Sequence, residues 1–237
     1  MRTLVAVHGA WSAGWAWRKM KPLLREYDLE LIAPTLTGLG ERAHLLAPSV
    51  GLETHVQDIT AMLEMEELSG VVLLGHSYGG MVVTGVADRV PERIRQLIYL
   101  DAFVPENGQC VFDLLPPQIA GSMRARVTND GEGWMIQPNP LPPDTSEEDR
   151  AWILPRRGPQ SLATHEEKLC LRSGQAPSYP RAYIYCLRAG SGDVFGPTAA
   201  CIRSQKEWTY REIDASHSPH VTAPAALAVL LLALCPP

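Results

Sequence analysis

Cysteine is sparse and unpaired in this chain of 237 residues: five thiols, Cys110, Cys170, Cys186, Cys201 and Cys235, lie far apart with no CxxC among them. That spacing argues against a disulfide framework or a cysteine-rich zinc site, which need closer, paired ligands, and leaves mostly buried thiols. Basic residues never run four together and the formal net charge is −5, so the clustered cations that neutralise nucleic-acid phosphates are missing. Long apolar runs are missing too. The longest, Ala225 to Cys235, falls well short of the roughly 20 residues that span a bilayer. The N-terminal apolar run Leu4–Val7 is too brief for a secretory leader. The expectations are a cytoplasmic, soluble protein with neither nucleic acid nor membrane as partner.

What the chain does have is an ordinary globular share of apolar residues, 46% hydrophobic against 20% charged. Its length suits one domain, or one domain carrying a sizeable insertion. Short β-rich runs alternate with amphipathic stretches, the pattern of a mostly parallel sheet covered by helices on both faces, an α/β fold. The expected strands are Leu4–Val7, Leu29–Ala33, Val71–Leu74, Arg95–Leu100, Ala182–Leu187 and Trp208–Ile213. The expected helices are Trp15–Glu26, His55–Glu67 with Thr54 and Gln57 as a capping box, Met81–Arg89, Thr198–Lys206 and Ala223–Leu234. Pro105 to Pro180 breaks the rhythm: it holds more than half of the 20 prolines, several glycines including Gly174, and only apolar fragments at Val111–Leu115, Ala151–Leu154 and Leu162–Leu171. A structureless loop of that length is improbable, so residues 105–179 are expected to form a cap inserted into a core of 1–104 and 180–237.

The sharpest motif is Gly75-His76-Ser77-Tyr78-Gly79, a G-x-S-x-G set between an apolar strand and a helix. Such a turn holds a serine in strained backbone geometry, and its glycines leave room for chain crossing beside it. The hydroxyl is lifted above the sheet at a helix N-terminus, where N–H groups favour developing negative charge. The amide of Tyr78 is one expected oxyanion donor, and that of Ala10, in Val7-His8-Gly9-Ala10-Trp11 after the first strand, is the other. His217, on the loop after Trp208–Ile213, is the expected base; His8 and His76 are read as structural, and His220 as a residue near a helix start or the pocket. Two acids satisfy the order serine, acid, histidine. Asp101 stands at a strand end, a rigid platform, and is preferred; Asp193, in a glycine-rich loop with Gly190, Ser191 and Gly192, stays open as the alternative. Trp11, Phe112, Trp134 and Trp152 are the expected pocket aromatics, with Leu115 and Met135 beside them.

These motifs resemble the α/β-hydrolase superfamily over nearly the whole chain outside the cap. Val7-His8-Gly9-Ala10-Trp11 through Gly14-Trp15-Ala16-Trp17, Pro34-Thr35-Leu36-Thr37-Gly38-Leu39-Gly40 and the elbow itself are similar to the plant methylesterase and hydroxynitrile lyase group and its bacterial esterase relatives. The resemblance implies a sheet of about eight strands, the first two absent or shortened here, and a helical cap after the sixth. Hydroxynitrile lyases of the group use a threonine near the first strand and a lysine just after the catalytic histidine. Gly9 and Ser218 stand in those places here, which disfavours lyase chemistry. The plant enzymes imply Asp193 as the acid, whereas Tyr99-Leu100-Asp101-Ala102 resembles haloalkane dehalogenases and implies Asp101. The expected activity is that of a serine esterase on a small carboxylic ester, methyl or aryl, aromatic or polyketide-like, through an acyl-enzyme on Ser77. A lactonase, a lyase or cyclase on the same site, a non-catalytic small-molecule binder and a homodimer remain open. Acyl transfer by these groups calls for no metal and no organic cofactor.

Overall fold

The computed structural model describes residues 2–172, 179–189 and 192–236; Gly174, Gly190 and Ser191 lie outside them. The chain opens with β1 (Arg2–Val7), a single 3-10 turn at Gly14–Trp17, α1 (Met20–Arg25) and β2 (Leu29–Ile32). Helix α2 (Leu52–Met65), β3 (Val71–His76), α3 (Gly79–Arg89) and β4 (Ile94–Leu100) follow. An excursion then runs through α4 (Val111–Leu114), α5 (Pro117–Asp130), β5 (Met135–Ile136), α6 (Glu147–Ile153), β6 (Gln160–Ser161) and α7 (Ala163–Glu166). We refer to it as the cap. The chain closes with β7 (Arg181–Cys186), α8 (Gly196–Arg203), β8 (Trp208–Ile213), α9 (Pro219–Thr222) and α10 (Pro224–Leu234).

Six strands form one sheet in the order β2-β1-β3-β4-β7-β8, every neighbouring pair parallel. The strands expected from the sequence are these six, against the eight or so of the full superfamily pattern. Alternate residues feed opposite faces, as a strand's two-residue period requires. Leu4, Ala6, Val72 and Leu74 join one apolar cluster with Trp17 and Leu231, while Val5, Val7 and Leu73 join the other with Ile59 and Val86. Both faces are therefore buried, which is why the central strands read as continuous apolar runs.

Register places the chemistry. Val7 pairs with Gly75, Gly75 with Tyr99 and Tyr99 with Tyr183, so β1, β3 and β4 end within a residue of one another, with β7 running a little further. Whatever follows them emerges along one rim. The strand order reverses direction between β1 and β3, and the crevice outside the carboxyl ends at such a reversal is where open α/β sheets bind ligands.

Several local expectations give way to specific causes. The single helix expected at Trp15–Glu26 is split into the 3-10 turn and α1, because Pro22 has no N–H to continue a helix from the preceding turn and is tolerated only in a first turn. Thr54 does not cap α2 from outside. Extended Gly51 is the cap, and the Thr54 hydroxyl, inside the first turn, accepts from the Gly51 N–H at 3.4 Å. Helix α5 was not among the expected elements: it buries only Ala120, Met123 and Val127, a thin stripe diluted by polar neighbours. Sheet pair β5–β6 was also unexpected; two residues a strand leave no periodicity to read.

Candidate active site

Ser77 sits between β3 and α3 with φ +55°, the left-handed region in which a non-glycine residue is strained. Its backbone is locked there. The N–H donates to the Leu100 carbonyl at 3.3 Å, and its carbonyl accepts from the N–H groups of Gly80 (3.0 Å) and Phe103 (3.2 Å). Gly79 is needed for close approach, since a Cβ there would stand 2.5 Å from the Val7 carbonyl oxygen. Gly9 has the same reason: its Cβ would meet that of Ser77 at 2.9 Å. The loop after β1 is thereby drawn against the serine. The amides of Ala10 and Tyr78 both lie at this junction, and neither donates a hydrogen bond among the described residues.

His217 follows β8. Its Nδ1 lies 2.7 Å from Asp101 Oδ2, and the second carboxylate oxygen of Asp101 accepts from the Cys186 N–H at 3.2 Å. A carboxylate partner keeps the imidazole proton on Nδ1 and leaves Nε2 as the basic nitrogen. Asp101 is 1% exposed and left-handed at φ +43°. The His217 ring stacks on Phe195, centroids 5.2 Å apart at 10°, and its carbonyl accepts from His76 Nε2–H at 2.6 Å. Asp193 is occupied elsewhere. Its Oδ1 accepts from the N–H groups of Phe195 (3.0 Å) and Gly196 (2.8 Å) at the start of α8, and its Oδ2 from the Tyr185 hydroxyl at 2.6 Å.

Ser77, His217, Asp101, Asp193, Ala10, Tyr78 and Trp11 all border one cavity of about 470 Å³, within the usual size for a small-molecule site. Of the four aromatic side chains expected around it, Trp11 lines it. Phe112 instead packs under the Arg124 guanidinium, 4.0 Å from its ring centre, and Trp152 packs edge-on against Trp15 at 5.3 Å. Trp134 is half-buried beside β5 and outside the lining, where its carbonyl accepts from the Leu162 N–H. Aliphatic cap residues do face the cavity: Leu115, as expected, together with Val111, Ile119, Met123, Leu141 and Ile153. Sequence reading had no means to single out His165, a lone cap histidine that lines the cavity. Trp11 itself is left-handed at φ +59° and held by the cap at both ends: its N–H donates to Gln160 Oε1 (3.1 Å) and its indole N–H to the Ile136 carbonyl (2.9 Å).

Five histidines around His217 are buried and forced neutral, His76 among them, with burial holding it well below its ordinary value. Burial brings His8 and His55 down from 6.5 to about 4, and His165 and His220 to about 3. The His8 ring bridges the Gly9 carbonyl and the Leu36 N–H, a structural role, and His220 stacks on Trp17 at 4.6 Å while lining the cavity. The unfolded chain takes up protons near 6.5 that the native state refuses, so stability is full above that pH and is lost as pH falls toward 4. By pH 5 each group costs on the order of 2 kcal/mol. The expected result is a thermal midpoint level above about pH 7 that falls steeply between 6.5 and 4. A midpoint unchanged down to pH 4.5 would contradict it.

Comparison with known proteins agrees with this architecture. A curated carbendazim hydrolyzing esterase from Nocardioides sp. (strain SG-4G) is 39% identical over 245 residues, 99% of this chain and 100% of that protein. A putative chloroplastic methylesterase 11 of Arabidopsis thaliana is 26% identical over 96% of this chain, which spans 62% of that longer protein. Among solved structures, an extracellular alpha/beta-hydrolase from a Paenibacillus species, described as sharing structural and functional homology with tobacco salicylic acid binding protein 2, matches with a TM-score of 0.85 at 25% identity over 98% of both chains. With residues 4–230 also matching its family model, from β1 almost to the end of α10, this chain belongs to the alpha/beta hydrolase family.

Proposed function

We propose that this protein is a serine carboxylic-ester hydrolase acting on a small ester. Ser77 is the nucleophile, His217 the general base and then acid, Asp101 the acid that orients it, and the amides of Ala10 and Tyr78 the oxyanion donors. The observation that carries the reading is the 2.7 Å bond between His217 and Asp101, in a cavity that Ser77 also lines. His217 Nε2 takes the serine proton as Oγ attacks the ester carbonyl, and the carbonyl oxygen gains the negative charge. The free N–H groups of Ala10 and Tyr78 receive that charge; losing one such donor typically costs about 100-fold to 1000-fold in turnover. Collapse breaks the ester C–O bond, and the proton returns from His217 to the departing alcohol. Water then repeats the sequence on the acyl-serine and releases the acid.

The apolar cap lining favours an aromatic or otherwise apolar acyl or alcohol part, methyl esters and lactones included. The proposal includes a cytoplasmic setting, supported by five cysteines that all stand as free thiols.

The test is a pre-steady-state burst. Mixed with excess p-nitrophenyl acetate, the protein is expected to release close to one equivalent of nitrophenol quickly and then turn over more slowly, with acetyl trapped on the peptide containing Ser77. Carbendazim and methyl benzoate are the next substrates to assay. Turnover with no burst and no acetylated peptide would count against an accumulating acyl-serine and favour direct attack by water on the ester. No turnover of any ester would favour a binder.

A further inference from the structure

One nitrogen in the cavity wall has no part in the steps above, and its protonation follows from a chain of forced hydrogen-bond directions. The Trp11 N–H can only donate, so the Gln160 atom facing it is Oε1, and Gln160 Nε2 then donates to Thr164 Oγ1 at 2.8 Å. Thr164 Oγ1 also lies 2.7 Å from the Ser161 carbonyl, which can only accept, so the hydroxyl proton points there. With that proton committed, the Thr164 oxygen can only accept from His165 Nδ1, 2.9 Å away. His165 therefore carries its proton on Nδ1, and Nε2 presents a bare lone pair that receives no hydrogen bond among the described residues. The ring is 3% exposed and lines the cavity. It stacks on Tyr78 with centroids 5.7 Å apart at 6°, and lies 6.2 Å from Trp11 and 5.8 Å from Phe112. Unlike His76 Nδ1 and His220 Nδ1, which are sealed without a partner among the described residues, His165 Nε2 is open to the cavity, where a ligand's N–H or O–H can engage it.

We propose that His165 Nε2 is a specificity-determining acceptor that selects esters whose aromatic or heteroaromatic part carries an N–H or O–H donor. The inference rests on the esterase reading for its substrate class. Burial keeps the ring neutral far below neutral pH, so it accepts and does not donate at any assay pH near 7. An analogue whose donor is methylated leaves the lone pair unpaired and adds bulk at the same point.

The experiment compares methyl 3- and 4-hydroxybenzoate and methyl indole-3-carboxylate with their O- or N-methylated counterparts, on the wild type, His165→Phe and His165→Gln. The expected result is at least one pair in which the donor-bearing ester leads by about tenfold or more in kcat/KM. That lead should vanish in His165→Phe and survive in part in His165→Gln, whose amide oxygen still accepts. Phenyl acetate, which has no such donor, is the reference against which each variant's change is read, so that a general loss of activity is separated from a loss of the preference. All wild-type pairs within twofold, or a lead unchanged in His165→Phe, would overturn the proposal while leaving the esterase reading intact. If no ester is turned over, the esterase reading fails alone, and the same preference is then read as Kd from quenching of tryptophan fluorescence, Trp11 being in the cavity wall. A variant that loses its cooperative thermal transition is set aside, and the other variant decides.

Discussion

Ser77→Ala is expected to lower kcat for ester hydrolysis by about 10⁴-fold to 10⁶-fold, with KM little changed. The residual rate would come from the oxyanion donors and binding alone. Folding should be almost untouched. The elbow is held by the Ser77 backbone, through Leu100, Gly80 and Phe103, and the hydroxyl takes no part in those bonds. Alanine inherits the same left-handed backbone at no added strain. The check is steady-state hydrolysis of p-nitrophenyl acetate beside a thermal melt. A variant within tenfold of wild type would remove Ser77 from the chemistry and with it the acyl-enzyme.

The acid is decided by a pair of isosteric exchanges. Asp101→Asn should cost about 10⁴-fold in kcat. The reason is directional: one oxygen of Asp101 accepts from the Cys186 N–H and the other faces His217 Nδ1. An asparagine that keeps its oxygen on Cys186 turns its NH₂ toward Nδ1, which must then be the acceptor. The imidazole proton moves to Nε2, where a base is needed. Asp193→Asn keeps an oxygen for the Phe195 and Gly196 amides and offers its NH₂ to the Tyr185 oxygen. It should change kcat by less than about threefold and stability by on the order of 1 kcal/mol. The reverse ranking would transfer the role to Asp193.

The two acids also mark where sequence reading stops. The elbow is legible because all its causes are local: an apolar strand, glycines that must yield space, and a helix directly after. His217 is legible for a similar reason, as the first histidine beyond a strand. Choosing between Asp101 and Asp193 requires knowing which carboxylate is already engaged, and the partners that engage Asp193 include Tyr185, on a different element. Register across three strands, β4, β7 and β8, brings Asp101 to His217, a separation no local pattern encodes. The cap was harder still. The excursion between β4 and β7 shows in the sequence as broken alternation and dense proline, but which of its aromatic side chains face inward depends on packing that periodicity does not carry. Phe112 and Trp152 found partners in Arg124 and Trp15, and shorter aliphatic residues took the wall. His165 owes its orientation to Thr164 and Gln160 close by in the chain, yet its exposure to the cavity is a tertiary fact.

The clamp on Trp11 ties the roof of the cavity to its floor. Gln160 and Ile136 hold its two N–H groups from the cap, and Asp144 accepts from the Ser216 N–H one residue before His217. A lid that swung away whole would drag the neighbouring Ala10 amide with it and loosen the histidine loop, dismantling the site each time it admitted a molecule. Each of these bonds is worth only about 1 kcal/mol, but breaking them together would disturb the proposed oxyanion donor and the His217 loop at once; the His217 side chain itself is 36% exposed with them all in place.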